Sequence, residues 1–366
     1  MHIGLDYRPA AGYATTGIGR QNFALEHALR AHPDVRLQLF GVAPFDHPIR
    51  RLIHCPRSST PLNAVHRLPD RLGFEACFLP TALQDAEIEI YMANLNMGLP
   101  IGRKPAGMRY VLQLHDVFQL TQKNSHGSRL KAAFYRFTDY LSIAWSLRVA
   151  DRVWVASEYT ASEVRRLFPS ANAKLRVLPL LVEGFVGEPA DISDLQLPEG
   201  YWLCVGTREP RKNIPWFVDA WQSARMQFPS TPDLVLVGGD ACLTESQRQL
   251  PGLHALTDLS DAQLHAVYRH AGRLWHPSRG EGFGLPVIEA LSVGTPVAVA
   301  SGSSLDEISP PHSPRFSPTD SAALIRLMGQ LASAAPEDPQ PLQDWAANYA
   351  LDAFKQRFNV LLEELR

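Results

Sequence analysis

From residue 280 to residue 290 the chain reads Gly-Glu-Gly-Phe-Gly-Leu-Pro-Val-Ile-Glu-Ala, which sets three glycines, a proline and two glutamates close together. Gly280, Gly282 and Gly284 let the backbone approach a ligand, and Pro286 suits the first turn of a helix. A turn leading from a strand into a helix presents unpaired N–H groups at the positive end of the helix dipole, which together make a site for a diphosphate. Glu281 and Glu289 bracket this loop with seven residues between them. A carboxylate accepts two charge-assisted hydrogen bonds, as the vicinal hydroxyls of a ribose or a hexose would donate them. Two glutamates alone would equally fit one that complements the helix N-terminus and one that is solvated. The glycines, the proline and the strand-turn-helix context favour a ligand.

A second segment, Val-Gly-Thr-Arg-Glu-Pro-Arg-Lys-Asn at 205–213, falls where a strand gives way to a helix. There Arg211, as a fork, and Lys212, as a point charge, can meet a diphosphate from the side opposite the glycine loop. Taken alone, the pair also fits a solvated surface. The stretch Gly12 to Arg20 reads as a loop between the first strand and the first helix, where Gly17 and Gly19 leave room for a ligand; a plain strand-to-helix turn explains it as well. His115 closes an apolar strand and is a candidate for chemistry, although a lone histidine is often a satisfied structural residue; Asp116 reads as structural. No Walker lysine motif, G-x-S-x-G elbow or H-E-x-x-H occurs, the histidines lack metal spacing, and Cys55, Cys77, Cys204 and Cys242 form no C-x-x-C pair.

These residues need a scaffold, and the pattern predicts one. Short apolar runs alternate with helix-period segments along the chain, as in parallel α/β sheets. Strands are expected at 3–6, 35–40, 88–92, 110–115, 152–156 and 175–178, then at 202–205, 234–237, 274–276 and 297–300. Helices are expected at 18–31, 130–150, 159–168 with Ser157 as N-cap, 213–228, 261–270, 285–293 and 320–332. The Gly- and Pro-rich stretch 182–200 reads as a linker. The domains are then 1–183, 184–340, and a helical segment 341–366 that could pack back onto the first. In such sheets ligands bind outside the carboxyl ends of the strands.

Length and composition agree with two domains and a cleft: 366 residues, 45% hydrophobic and 20% charged. No apolar run approaches the roughly 18 residues that span a bilayer. Asp6 and Arg8 interrupt the N-terminal apolar stretch, so no secretion signal is read and a cytoplasmic location is expected. Residues 1–182 carry 22 Lys and Arg against 14 Asp and Glu, a net of +8, while the rest carry 13 against 23, a net of −10. A basic half fits an anionic lipid surface, an anionic acceptor or nucleic acid, and complementary charge between two domains fits too. Helix 130–150 mixes Lys131, Arg136 and Arg148 with Phe134, Tyr135, Phe137, Tyr140 and Trp145, which suits either an anionic membrane surface or a helix covering a sheet.

The run Pro277, Ser278, Glu281, Gly282, Phe283, Gly284, Leu285, Pro286, Glu289, Ala290, continued by Gly294, Thr295, Pro296 and Val297, resembles the retaining nucleotide-sugar glycosyltransferases of family 4. Glu209 to Asn213, Thr16 to Arg20 and His115-Asp116 resemble the same family, and the likeness runs over essentially the whole chain. It implies a GT-B fold, two Rossmann-like domains facing a central cleft, with donor held by the C-terminal domain and acceptor by the N-terminal one. It further implies that Glu281 contacts the donor sugar and Glu289 the ribose. Ser278, Gly282, Phe283, Gly284 and Leu285 would line the donor, with Gly206 and Arg208 beside it and Gly17 and Gly19 beneath. Arg211 and Lys212 would stabilise the leaving diphosphate, and His115 would sit near the sugar C6 hydroxyl. No cofactor and no metal are implied, the nucleotide sugar being a substrate. The opening residues with Glu209 to Asn213 look most like bacterial mannosyltransferases of polysaccharide and lipopolysaccharide assembly, so GDP-mannose is the favoured donor, with UDP-glucose, UDP-N-acetylglucosamine and others left open. The other expected partners are a glycan or lipid-linked glycan, with peripheral contact to an anionic membrane as an option and no nucleic acid. A GT-B sugar-nucleotide epimerase and an inactive GT-B glycan-binding scaffold are the alternatives. Two departures stand out: many members place Arg after the glycine where this chain has Thr207, and the run after Ile308 lacks the usual glycine turn.

Overall fold

The computed structural model of the chain describes residues 1–13, 17–42, 52–56, 65, 67–121, 129–185, 187–207 and 209–366. The chain divides into two compact units, Met1–Leu181 with Lys355–Arg366, and Val182–Phe354. The sheet of the first unit holds β1 (His2–Asp6), β2 (Arg36–Val42), β3 (Leu52–Cys55), β4 (Ile90–Ala93), β5 (Arg109–Leu114), β6 (Arg152–Val155) and β7 (Leu175–Val177) in the order β3-β2-β1-β4-β5-β6-β7. The second holds β8 (Trp202–Val205), β9 (Leu234–Val237), β10 (Leu253–Leu256), β11 (Arg273–His276), β12 (Val297–Ala300) and β13 (Arg315–Phe316) in the order β10-β9-β8-β11-β12-β13. Every pairing is parallel. Both sheets are therefore doubly wound, and strand order reverses between β1 and β4 and again between β8 and β11. Ligands bind at such reversals.

Among the described residues the helices of eight residues or more are α1 (Gly17–Ala31), α2 (Arg129–Val149), α3 (Glu158–Leu167), α4 (Ile214–Gln227), α5 (Asp261–His270), α6 (Leu285–Ser292), α7 (Ser321–Ala332), α8 (Pro339–Ala346) and α9 (Leu351–Glu363). Their starts follow local chemistry. Ser157 accepts from Thr160 N and caps α3, and Ser260 with Gln263 forms a capping box on α5. The strands are Val-, Leu- and Ile-rich because helices cover both faces of a parallel sheet; all four residues of β11 and of β12 are buried. In the second unit Trp275 of β11 sits among Trp202, Phe217 and Phe316, with ring centroids 4.9, 5.5 and 5.7 Å away.

The structure adds strands that the sequence pattern did not announce. β3, β10 and β13 are sheet edges of four, four and two residues, too short for alternation to rise above the background. The segment expected as an N-terminal loop is helical at Arg8–Tyr13 and again from Gly17, so Gly17 and Gly19 belong to the first turn of α1. The physical reason lies in Arg8, which is fully buried, bonded to Asp6 at 2.7 Å and Glu75 at 3.1 Å, and stacked over Phe74. That anchor turns the chain into a helix directly after β1. Among the described residues no helix is long and apolar enough to cross a membrane.

The C-terminal helix belongs to the first core. Phe358 of α9 is fully buried and meets Trp154 edge-on at 5.6 Å, and Glu364 binds Arg152 at 3.2 Å and Arg176 at 2.9 Å. Phe358→Ala should cost about 3–5 kcal/mol of unfolding free energy, measured by denaturant titration; a loss under about 1 kcal/mol would mean that the helix contributes no core packing.

Candidate active site

β8 and β11 are neighbours at the reversal of the second sheet, with Arg273 opposite Trp202 and Leu274 opposite Leu203. Their carboxyl ends deliver 206–213 and 276–284 to the same place. After β8, Gly206 adopts φ +81°, and a β-carbon there would lie 3.6 Å from Lys212 Cε. The chain then forms one short 3-10 turn at Pro210–Lys212, which ends on Asn213 in the left-handed region and aims Arg211 and Lys212 at the loop after β11. Arg279 N donates to Arg211 O at 2.9 Å, tying the two segments by backbone.

Glu281 is the hub. Its Oε1 accepts from Lys212 Nζ at 2.7 Å, Ser278 Oγ at 2.7 Å and His276 Nε2 at 3.0 Å, and its Oε2 pairs with Arg211 at 2.5 Å. All this occurs with Glu281 only 5% exposed. Burial by itself would raise the carboxyl, but the Lys212 ammonium, the His276 hydrogen bond and Arg211 outweigh it and hold Glu281 well below the usual carboxylate range. The carboxylate is ionised and faces two cations, Lys212 and Arg211. Arg211 also binds Glu209 at 2.6 Å and Gly280 O at 3.2 Å.

The glycine loop runs on into α6 through Gly284, whose φ of +111° and close neighbours demand glycine: a β-carbon would come within 2.7 Å of Leu305 Cδ2. Gly284 has no side chain to cap α6, and Pro286 occupies the first turn, so the positive end of the helix dipole faces the loop without a side-chain cap. Ser304 Oγ lies 2.8 Å from both Glu281 O and Phe283 O and fixes the loop from behind. Phe283 is buried edge-on against Tyr349 at 5.6 Å. Glu289, further along α6 and also buried, accepts from Tyr268 OH at 2.8 Å.

The structure thus brings together Gly206, Arg211, Lys212, Ser278, Glu281, Gly282, Phe283, Gly284 and Leu285, with Glu289 on the helix they lead into. Thr207, where the family resemblance leads one to expect Arg, is buried and donates to Gly239 O at 2.6 Å, joining the ends of β8 and β9. Arg208 lies outside the described residues. In the first unit His115 follows β5, is buried, and has Nε2 2.8 Å from Asn94 Oδ1; Asn94 Nδ2 donates in turn to Asn22 Oδ1 at 3.0 Å. Asp116 Oδ1 accepts from Phe118 N at 3.0 Å, a turn contact that fits its structural reading. The residues missed by sequence reasoning are His276, Tyr268 and Asn94. For His276 a signal existed, a polar side chain ending a buried strand just before Pro277-Ser278; for the others none did.

Burial lowers both His115 and His276 to about 4, and Lys212 adds to the effect at His276. Between pH 6.5 and 4 the folded chain therefore binds fewer protons than the unfolded one. The stability this contributes is complete above pH 6.5 and is lost as pH falls through 4. Glu281, held below its ordinary 4.5, adds a loss of the same sign lower down. The thermal midpoint should fall across this window, and fall less steeply in His276→Gln and His115→Gln; a flat midpoint in the parent chain would refute the assignment.

Residues 199–333 match the family described as Glycosyl transferases group 1. Over 327 residues the chain is 32% identical to the O-antigen chain mannosyltransferase B of Escherichia coli, with 81% of each chain covered. Among solved structures it is similar to sucrose-phosphate synthase from Thermosynechococcus elongatus, with a TM-score of 0.71 and 20% identity over 100% of this chain and 99% of that one. It is also similar to Anabaena HepE in complex with UDP-glucose, with a TM-score of 0.65 and 15% identity over 100% of both. Identities this low speak to fold alone, whereas the Escherichia coli relative speaks to family. With two doubly wound parallel sheets and a glutamate-bearing glycine loop at the reversal of the second, the chain belongs to the group 1 glycosyltransferases of family 4 and has the GT-B fold.

Proposed function

We propose that this glycosyltransferase moves mannose from GDP-mannose, with retention of anomeric configuration, to a glycan or lipid-linked glycan in polysaccharide or lipopolysaccharide assembly. One observation carries the reading of the donor site: a buried lysine, a half-buried arginine and a buried carboxylate meet at 2.5 to 2.7 Å beside a helix N-terminus that no side chain caps. Such a cluster suits a nucleoside diphosphate. Arg211 and Lys212 neutralise the charge that develops on the departing diphosphate, and the amides from Gly282 to Leu285 add fixed dipoles. Glu281 takes sugar hydroxyls as the diphosphate draws the cations toward itself, and Glu289 takes the ribose. Gly206 and Ser278 complete the donor surface of the second unit, and on the family resemblance His115, Gly17 and Gly19 of the first unit are assigned to the donor as well, His115 to the C6 hydroxyl. In a front-face displacement the acceptor oxygen bonds to the anomeric carbon as the diphosphate oxygen leaves from the same face and accepts the hydroxyl proton. No enzyme nucleophile is then needed.

Mannose is favoured because the relative matched over 81% of its length is an O-antigen mannosyltransferase. Calorimetry against GDP, UDP and ADP, followed by transfer assays with GDP-mannose and UDP-glucose, tests the donor; tight UDP binding with none to GDP would retire GDP-mannose. Glu281→Ala should abolish transfer, by about 100-fold or more, without unfolding, and full activity in that variant would sink the site. Lys212→Ala should weaken diphosphate binding roughly 10-fold.

Peripheral membrane contact belongs to the same proposal. Leu130, Phe134, Phe137 and Leu141 of α2, spaced i, i+4, i+7 and i+11, are between 50% and 84% exposed, and exposed Lys131 and Arg148 flank or extend that stripe. An apolar stripe edged with cations suits an anionic lipid surface. The protein should sediment with vesicles containing phosphatidylglycerol but not with pure phosphatidylcholine, and Phe134→Ser with Phe137→Ser should cut binding about 10-fold or more. Equal binding to both vesicles, or to neither, would exclude this contact.

A further inference from the structure

His276 ends β11 at 1% exposure, and its Nε2 lies 3.0 Å from Glu281 Oε1 and 3.5 Å from Lys212 Nζ. An imidazole nitrogen between an ammonium and a carboxylate has one satisfactory arrangement. It must carry a proton, because the closer partner, Glu281 Oε1 at 3.0 Å, can only accept, and the 3.5 Å approach of the Lys212 ammonium, which can only donate, is too long to claim the nitrogen's lone pair. Burial and the Lys212 charge keep the ring neutral at physiological pH, so the proton sits on Nε2 and the ring adds no charge. Oε1 then receives three donors, from Lys212, Ser278 and His276, while Oε2 receives Arg211. Ser278 and His276 are the uncharged members of that set, and they hold the plane of the carboxylate independently of the cations.

We infer that His276 is a positioning residue, which by donating from Nε2 to Glu281 Oε1 fixes the carboxylate plane and so the spacing of Lys212 and Arg211 for the donor diphosphate. This rests on the donor-site reading above. It goes beyond that reading because neither the glycine-and-glutamate motif nor the basic dipeptide contains this residue. When a diphosphate competes for the cations, the His276 and Ser278 hydrogen bonds do not have to break, so Glu281 keeps both uncharged anchors throughout the exchange. A cationic histidine at this place would instead compete with Lys212 for Glu281.

The test uses three variants of the full chain. His276→Gln carries an amide N–H at nearly the reach of Nε2, His276→Leu fills the space without a donor, and His276→Asn carries a donor too short to reach Oε1. GDP and UDP affinities are measured by calorimetry, and kcat and KM for the sugar nucleotide by transfer assay. His276→Leu and His276→Asn should bind the nucleoside diphosphate roughly 10- to 100-fold more weakly, the range set by one hydrogen bond to a buried charge, with acceptor KM unchanged. His276→Gln should recover most of the loss. If His276→Leu does not fold, the Asn and Gln pair decides alone. Parent-like binding by the Leu or Asn variant, or a Gln variant as weak as Asn, overturns the inference and leaves the donor-site reading standing. A parent chain that binds neither GDP nor UDP overturns both.

Discussion

The ion cluster on Glu281 is the constraint around which the second unit is arranged. Removing a carboxylate from water is costly, and burying a lysine and most of an arginine with it adds to that cost; the mutual attraction returns it only with close contact and full hydrogen bonding. Both conditions hold here, since the two Glu281 oxygens receive four side-chain donors. Such clusters are weak arguments for stability. Their effect is preorganisation: charges already desolvated and aimed need little rearrangement when an anion arrives. The cluster sits in the half of the chain that carries a net charge of −10, so long-range attraction cannot account for the anion binding proposed there. The local geometry must do so.

That geometry depends on a topological fact. Residues 206–213 and 276–284 are far apart in sequence, yet β8 and β11 are adjacent because the strand order reverses between them. A parallel sheet places every strand's carboxyl end on one edge, so the loops after these two strands must meet. Trp275, buried among three aromatic rings, locks β11 in register, and His276 is the next residue. The hydrophobic core thus fixes a polar contact one residue beyond it.

The parts of this arrangement that could be read from the sequence are those in which neighbouring residues do a job together. The glycine loop, Pro286 and the Glu281–Glu289 spacing form one local pattern, and the α/β alternation states the fold class. Strands β8, β9 and β12 fall where the pattern places them because they are apolar runs bounded by turns. What the sequence hides depends on distance or brevity. The anchor of Asp6 and Arg8 requires Glu75, which only folding brings near, and at first sight those two charges merely interrupt an apolar stretch. Edge strands β3, β10 and β13 are defined by their neighbours more than by their own residues. Tyr268 finds Glu289 from another helix, and no local spacing announces that.

Both units end a central strand at a buried histidine made neutral by its surroundings, His115 after β5 and His276 closing β11. Each presents Nε2 to a side-chain oxygen, of Asn94 and of Glu281. A neutral imidazole supplies direction without charge. In the second unit this separates two tasks that a single cation could not perform together. In the proposed donor site arginine and lysine would supply positive charge to an anion that comes and goes, whereas the histidine would hold the carboxylate whether or not that anion is present. Replacing the ring by a third cation would strengthen the attraction for a diphosphate and weaken the frame that spaces Lys212 and Arg211. The depressed proton affinity of His276 is therefore a requirement of the site's geometry as well as a consequence of its burial.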